Sequence, residues 1–414
     1  MASYAWGQEP PPRGVGAQPS GTVTGPAAGP PSLPIAAYPL ELLGLLAPGA
    51  QRGPVTLTPS ISVSEEYNDN IFLDNRDRQW DFITSFSPAL TLYVNRPSYQ
   101  LSAGYSFSAD LYAREDRLSN AFDRQNLVAT ALYRLTPGVT LTVADAFAYD
   151  RSSNRVAAQG FSSGRQKSWS NNFTPGMTWQ MTPQDSLSLG ATYGVLRFEG
   201  AGTGVDSDTL GFQSNLTHAF TQRFSGIIGY GFTYLDPHEQ DVSKTHTPTL
   251  GFSYVLTPTL TATITGGASL TELGGDTFVS PAGTASLVQV FSFGSASLQY
   301  NRGVSVAGGF GGTTNTQTVS GTLTLATLLR GLLVVLSPVY SASESVGSRR
   351  AGQVDVEAVT LNLGATYQIA QYAALVGGYT FFRQRTGGSS STQLDVDQNR
   401  IRFGLQFGYP INFD

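Results

Sequence analysis

The chain has 414 residues, a net charge of −5, 40% hydrophobic residues and only 13% charged ones. With no Cys it carries no disulfide framework, no Cys-ligated zinc and no iron–sulfur cluster, and without a basic excess it is not built to hold nucleic acid. No run of 18 consecutive apolar residues is present, so no helix can span a bilayer, while 46 Gly, 23 Phe and 19 Tyr leave two classes open: a large soluble all-β protein and an outer-membrane β-barrel.

Residues 1–54 differ from the rest. Pro10, Pro11 and Pro12 begin a Pro/Gly/Ala-rich stretch that runs to Pro34. Pro removes ladder donors, so this stretch reads as an extended linker. A short apolar run, 35–46, follows and is read as a docking segment or a plug in a pore, which leaves a periplasmic partner open for this extension. Ser3-Tyr4-Ala5 resembles the small-residue end of a signal peptide, and the expectation is that a signal has been removed ahead of it.

From Val55 to the C-terminus the pattern has period two. Tyr99, Leu101, Ala103, Tyr105, Phe107, Ala109 and Leu111 alternate with small or polar residues, and so do Ile401, Phe403, Leu405, Phe407, Tyr409, Ile411 and Phe413. Successive side chains on a strand point to opposite faces, so each segment has one apolar and one polar face. About 18 such segments occur, with 16 as the alternative count. Short connections such as Arg96-Pro97, Thr136-Pro137-Gly138, Thr182-Pro183-Gln184 and Thr257-Pro258-Thr259 alternate with long polar ones, 68–79, 150–165, 199–208, 236–244, 301–316 and 384–399. A soluble sandwich has no reason to place every short turn at one end. A transmembrane antiparallel up-and-down β-barrel in a Gram-negative outer membrane does, with short periplasmic turns and long extracellular loops. About 18 strands of about 12 residues, with eight turns of about 4 and nine loops of about 12, need about 356 residues, which the stretch from 55 to 414 supplies.

In such a barrel the apolar phase meets lipid. Tyr93, Tyr133, Trp179, Tyr254, Tyr367, Tyr409 and Phe413 lie near segment ends and fit an interfacial aromatic girdle. Asp145 falls in the apolar phase of Val139, Leu141 and Val143, and a β-bulge there would turn it inward. The inward phase is mostly Ser, Thr, Gly and amides. The lumen-lining candidates are Gln100, Asp110, Asn126, Arg134, Gln213, Asn215, Gln299, Asn362, Gln368, Arg400, Arg402 and Gln406, with Asn171, Gln180 and Asn412 in the same group. Neutral amides and hydroxyls exchange hydrogen bonds with sugar hydroxyls, but any water-filled barrel tolerates them as well. Arg197, Arg302 and Arg383 each occupy the last outward position before a long loop. There an Arg stem stays in the apolar zone while its guanidinium reaches lipopolysaccharide phosphate.

The stretch Ser62-Val63-Ser64-Glu65-Glu66-Tyr67-Asn68-Asp69-Asn70-Ile71-Phe72 resembles the start of a family of outer-membrane β-barrel porins that accompany exopolysaccharide-secretion or exosortase gene sets. In that family the Glu-Glu-Tyr-Asn-Asp-Asn motif ends the first strand. The resemblance implies a barrel over 55–414 and passage of a poly- or oligosaccharide. Ile411-Asn412-Phe413 looks like the aromatic-ended signal read by barrel-assembly machinery, departing from it by the following Asp414.

Catalytic and metal patterns are weak. Gly160-Phe161-Ser162-Ser163-Gly164 matches G-x-S-x-G but lies in a polar loop with no strand-then-helix context. His218 sits in an apolar phase, and no Ser–His–acid set follows from the spacing. His238 and His246 flank one loop without a third ligand. Glu65, Glu66, Asp69, Asp74, Asp77 and Asp81 form an acidic group of the oxygen-only kind that suits Ca²⁺, in no EF-hand spacing and with Arg76 and Arg78 as counter-charges. The reading is therefore a pore for a polar solute, with no enzymatic activity and no cofactor, and with export of a poly- or oligosaccharide favoured. A general small-solute porin, a structural or adhesive barrel and a lipid hydrolase are the alternatives.

Overall fold

The computed structural model describes residues 53–150, 166–200, 204–238, 240–306, 313–326, 329–347, 355–387 and 395–413. The 1–54 extension, but for its last two residues, and the Gly160–Gly164 pattern lie outside them. The strands are β1 (Val55–Asn68), β2 (Asp81–Asn95), β3 (Tyr99–Tyr112), β4 (Asn120–Thr136), β5 (Val139–Asp150) and β6 (Lys167–Gln180). Next come β7 (Asp185–Glu199), β8 (Ser207–Ala219), β9 (Phe224–Pro237), β10 (Ser243–Thr257), β11 (Leu260–Leu273) and β12 (Asp276–Phe291). The last six are β13 (Gly294–Val306), β14 (Thr313–Leu325), β15 (Leu332–Ser345), β16 (Asp355–Ala370), β17 (Ala373–Gly387) and β18 (Val396–Gly408), which resumes as Ile411–Phe413.

Every strand pairs antiparallel with its sequence neighbours, and β1 closes on β18. Pro410 has no N–H to give the ladder, which interrupts β18. The register nevertheless carries through: Ser60 faces Gly408 and Thr56 faces Asn412, so the final segment is the same strand continued. The result is a closed barrel of 18 strands with an even count and both ends of the described chain on the short-turn side.

The two faces differ as the period-two pattern requires. Leu250, Val279, Phe403 and Ile228 point outward and are 60–68% exposed, whereas Thr247, Ser269, Ser337 and Gln398 point inward and are at most 2% exposed. An apolar belt of this extent on a water-facing surface would drive association. Closure also leaves no strand edge to be satisfied by water, as the bilayer demands. The fold is that of an outer-membrane β-barrel.

Three expectations are corrected. Tyr93 shares the inward phase of Ser87 and Thr91, so it lines the lumen and does not join the girdle. Asp145 stays outward, because the β5 register is unbroken from Val139 to Asp150 against β6. Asn171, expected inside, shares that outward face beside Phe173. Four of the six expected outer connections are also shorter, at 200–206, 238–242, 307–312 and 388–395. The β11–β12 connection is only Gly274-Gly275, with φ of 59° and 89°, the two positive values that a type I′ hairpin requires. The reason is that β11 and β12 run on past the apolar belt, where alternation no longer has lipid to match.

The short turns are built from side chains as well as from Pro. The Thr182 hydroxyl accepts the backbone N–H of Gln184 and Asp185 at 3.2 and 3.0 Å, and the Thr221 hydroxyl accepts those of Arg223 and Phe224 at 3.2 and 3.0 Å. These are the Ser/Thr turns that let two to four residues reverse the chain.

Candidate functional site in the lumen

The barrel register places Gln100, Asp110, Asn126, Arg134, Gln213, Asn215, Gln299, Asn362, Gln368, Arg400, Arg402 and Gln406 in the inward phase. Arg134 sits at the short-turn rim, where its guanidinium donates to the Pro97 carbonyl at 3.0 Å. The inward surface has two unlike walls.

One wall, from β10 to β15, is neutral and hydroxylated. Cross-strand hydroxyl pairs run along it: Thr245 with Thr271 at 3.0 Å, Thr247 with Ser269 at 3.1 Å, Thr265 with Thr284 at 2.9 Å and Ser305 with Thr316 at 2.7 Å. The first three pairs stand directly opposite on their ladders and Ser305–Thr316 is a diagonal neighbour, both arrangements bringing side chains within reach.

The other wall, from β18 through β1 to β5, carries charge. Arg402 grips Glu66 Oε2 through Nη2 at 2.6 Å and Nε at 3.1 Å. Arg124 Nη2 donates to Asp110 Oδ1 at 2.8 Å, and the Ser85 hydroxyl donates to the same oxygen at 2.7 Å. Asp81 accepts the backbone N–H of Arg114 and Glu115 at 3.0 and 2.9 Å. Asp150 stands opposite Arg124 on the ladder. Arg400 is buried, and its Nε has no hydrogen-bond partner among the described residues, as is true of Glu66 Oε1. Three Arg and four carboxyls thus share one wall. Such a patch is nearly balanced in charge and sets up a field across the lumen instead of a ring of one sign.

The sequence pattern pointed to Asp110, Arg400 and Arg402 but assigned Glu66 and Asp81 to the acidic group of the first outer loop and passed over Arg124 and Asp150. The signal was present. Glu66 continues the inward phase of Ser60, Ser62 and Ser64.

The first outer connection, 69–80, folds into the mouth. Ile71 and Leu73 are buried, and Ile71 packs on Ile83 and Tyr112, both inward-facing, with Phe72 and Leu118 beside them. Amide groups hold the segment down. Asn70 Nδ2 donates to the Asp397 carbonyl at 3.0 Å, and Gln398 Nε2 donates to Asn68 Oδ1 at 3.1 Å and to the Asn70 carbonyl at 2.9 Å. On the outer face, Asn399 Nδ2 donates to Asp69 Oδ2 at 2.8 Å. The Glu-Glu-Tyr-Asn-Asp-Asn motif is therefore divided by parity: Glu66, Asn68 and Asn70 work inside, while Glu65, Tyr67 and Asp69 face out. Its acids are dispersed among Thr84, Arg402, Asn399 and Arg78, and no metal-holding acidic cluster forms among the described residues.

The remaining candidates separate. His218 Nδ1 lies 2.7 Å from Asp185 Oδ1 at the short-turn rim, and no serine is bonded to this His among the described residues. His238 is 3.1 Å from Asp208, and His246 is 2.7 Å from the Tyr230 hydroxyl, so the two His do not share a site. Arg197 and Arg383 lie in the outward phase near the outer rim. Arg197 clasps Asp208 at 2.9 and 2.8 Å, and Arg383 lies 3.6 Å from Asp397, which Arg385 also contacts at 2.8 Å. Arg302 is outward between Gly283 and Gln317. Two of the three rim Arg, Arg197 and Arg383, are thus paired with Asp.

A closed barrel with an apolar outer belt, a polar inner face and a segment folded into its outer mouth defines the class, an outer-membrane β-barrel. No family model matches the chain, and no curated protein matches it. Among solved structures it is similar to OccAB4 of Acinetobacter baumannii, at 13% identity over 87% of this chain and 99% of that one, with a TM-score of 0.44. OpdQ of Pseudomonas aeruginosa is 12% identical over 86% and 99%, with a TM-score of 0.45. OprD of Pseudomonas aeruginosa is 12% identical over 89% and 98%, with a TM-score of 0.40.

Proposed function

We propose that this protein is an outer-membrane pore for the passive passage of a polar, hydroxyl-rich solute, an oligosaccharide or polysaccharide strand. The observation that carries this reading is the pairing of a neutral hydroxyl wall, Thr245–Thr271 to Ser305–Thr316, with a balanced charged wall, Glu66–Arg402 and Asp110–Arg124. A sugar chain presents hydroxyls that both donate and accept, so it can exchange water for the first wall at little desolvation cost. The near-balance of the second wall disfavours strong selection by ion sign.

The test is single-channel recording of the purified full chain in a planar bilayer. Open-channel current is expected, with weak cation–anion selectivity and current blockades by maltohexaose that exceed those by a polyethylene glycol of equal size. No conductance, or equal blockade by both polymers, overturns the proposal. A lipid ester hydrolysed by the same preparation points instead to the enzyme alternative.

A further inference from the structure

Asp145 is out of place for a lipid-facing residue. It lies six residues from the start of β5 and five from its end, whereas the other outward Asp, Glu, Lys, Arg and His residues of the described strands lie within four residues of a strand end. On its own face it is bracketed by aromatics. Tyr133 and Trp179 flank the lower part of β5, opposite Leu141 and Val139, and Tyr149 pairs with Trp169 at the upper end. Tyr and Trp mark the two interfaces of an apolar band about 25 Å tall. Asp145 therefore sits near the middle of that band. The one hydrogen bond to its side chain among the described residues comes from Asn171 Nδ2 at 3.3 Å. Asn171 Oδ1 is itself buried without a hydrogen-bond partner there.

Hydrocarbon offers nothing to the Asp145 carboxyl or to the second N–H of Asn171, and such groups at mid-membrane depth pair with protein. The surrounding surface allows a close approach. Ala129 stands directly opposite Asp145, Ala103 opposite Ala129, and Ala131 opposite Val143. We propose that the outward face of β3–β7, centred on Asp145 and Asn171, is covered in the membrane by a second copy of this chain.

The choice of occupant follows from symmetry. Copies in one membrane share an orientation, so any axis relating them runs along the membrane normal and preserves depth. A second copy then brings its own Asn171 amide to the level of Asp145. In a two-fold contact the exchange is reciprocal: each Asn171 keeps one N–H on its own Asp145 and gives the other to the partner's Asp145. Five strands about 4.8 Å apart and about 25 Å tall offer roughly 600 Å² per copy, at the lower edge of stable interfaces.

The chain has no native Cys, so single Cys variants report position cleanly. Ala129→Cys is placed at the centre of this face, and Leu298→Cys on β13 lies on the opposite wall. Each is expressed in native outer membranes and treated with a short bis-maleimide. The expectation is a product of twice the chain mass, at least about ten-fold more abundant for Ala129→Cys than for Leu298→Cys. Adding Asp145→Leu and Asn171→Leu to Ala129→Cys is expected to lower that yield about ten-fold while the heat-modifiable gel shift of a folded barrel persists. Equal yields at the two positions, a product of any other mass, or a yield unchanged by the double substitution overturns the proposal. If the double variant does not fold, the comparison of the two single Cys positions decides alone.

Discussion

At the scale of single residues the barrel is governed by what each face meets. Leu363 faces lipid between Leu336 and Tyr379 and is well away from both ends of β16. A guanidinium there has no headgroup within reach of its stem. Leu363→Arg is expected to destabilise the barrel by about 2–4 kcal/mol, measured by denaturant unfolding in vesicles, whereas an Arg within one turn of the interface costs about 0–1 kcal/mol. A loss below 1 kcal/mol would place Leu363 outside the apolar belt. The contrast with Asp145 is instructive, because there the polar group is native and has Asn171 beside it.

At the scale of elements, β1 and the connection after it do two jobs. Its outward residues Tyr67 and Asp69 belong to the rim, Tyr67 making tilted ring contacts with Trp80 and Phe82 at 6.1 and 5.5 Å. Its inward residues anchor the segment that narrows the mouth. Ile71 is the apolar pin of that segment, wholly buried against Ile83 and Tyr112. Truncating it to Ala is expected to weaken the docked state by about 2–5 kcal/mol, the range for emptying a buried aliphatic site. The readout is channel current: Ile71→Ala should raise conductance or add frequent steps to a larger open level, with the barrel itself still heat-modifiable. An unchanged current trace would mean that this segment does not restrict the path.

At the scale of the whole molecule, the long-loop rim carries the three outward Arg that the sequence pattern assigns to lipopolysaccharide phosphate. Arg197 and Arg383 already hold Asp208 and Asp397, so each is a pre-oriented guanidinium whose charge is partly met. Replacing Arg197, Arg302 and Arg383 together by Gln is expected to reduce co-purifying lipopolysaccharide by about two-fold, since a bidentate phosphate contact would be lost at each position. Retention equal to the unmodified protein would show that the intramolecular carboxylates are their whole purpose.

How much of this was legible beforehand follows from which solvent each residue meets. Lipid on one face and water on the other impose period two, so the 18 segments, their inward and outward phases and the placement of short turns at one end could be read from residues 55–414 directly. Beyond the apolar belt that constraint lapses, and there the reading failed: β4 begins at Asn120 and β12 at Asp276, several residues before alternation becomes visible. Phase also breaks down as a guide where one residue departs from it. Asp145 looked like a reason for a bulge, and only the continuous ladder to β6 shows that it stays outward and meets Asn171. The sequence by itself determined the class of architecture, because alternation is a local property of a strand. Only the tertiary structure decided which charges and hydroxyls meet. Glu66 and Arg402 are 336 positions apart and face each other because the first strand closes on the last, and the register of that seam is set by closure of the barrel as a whole.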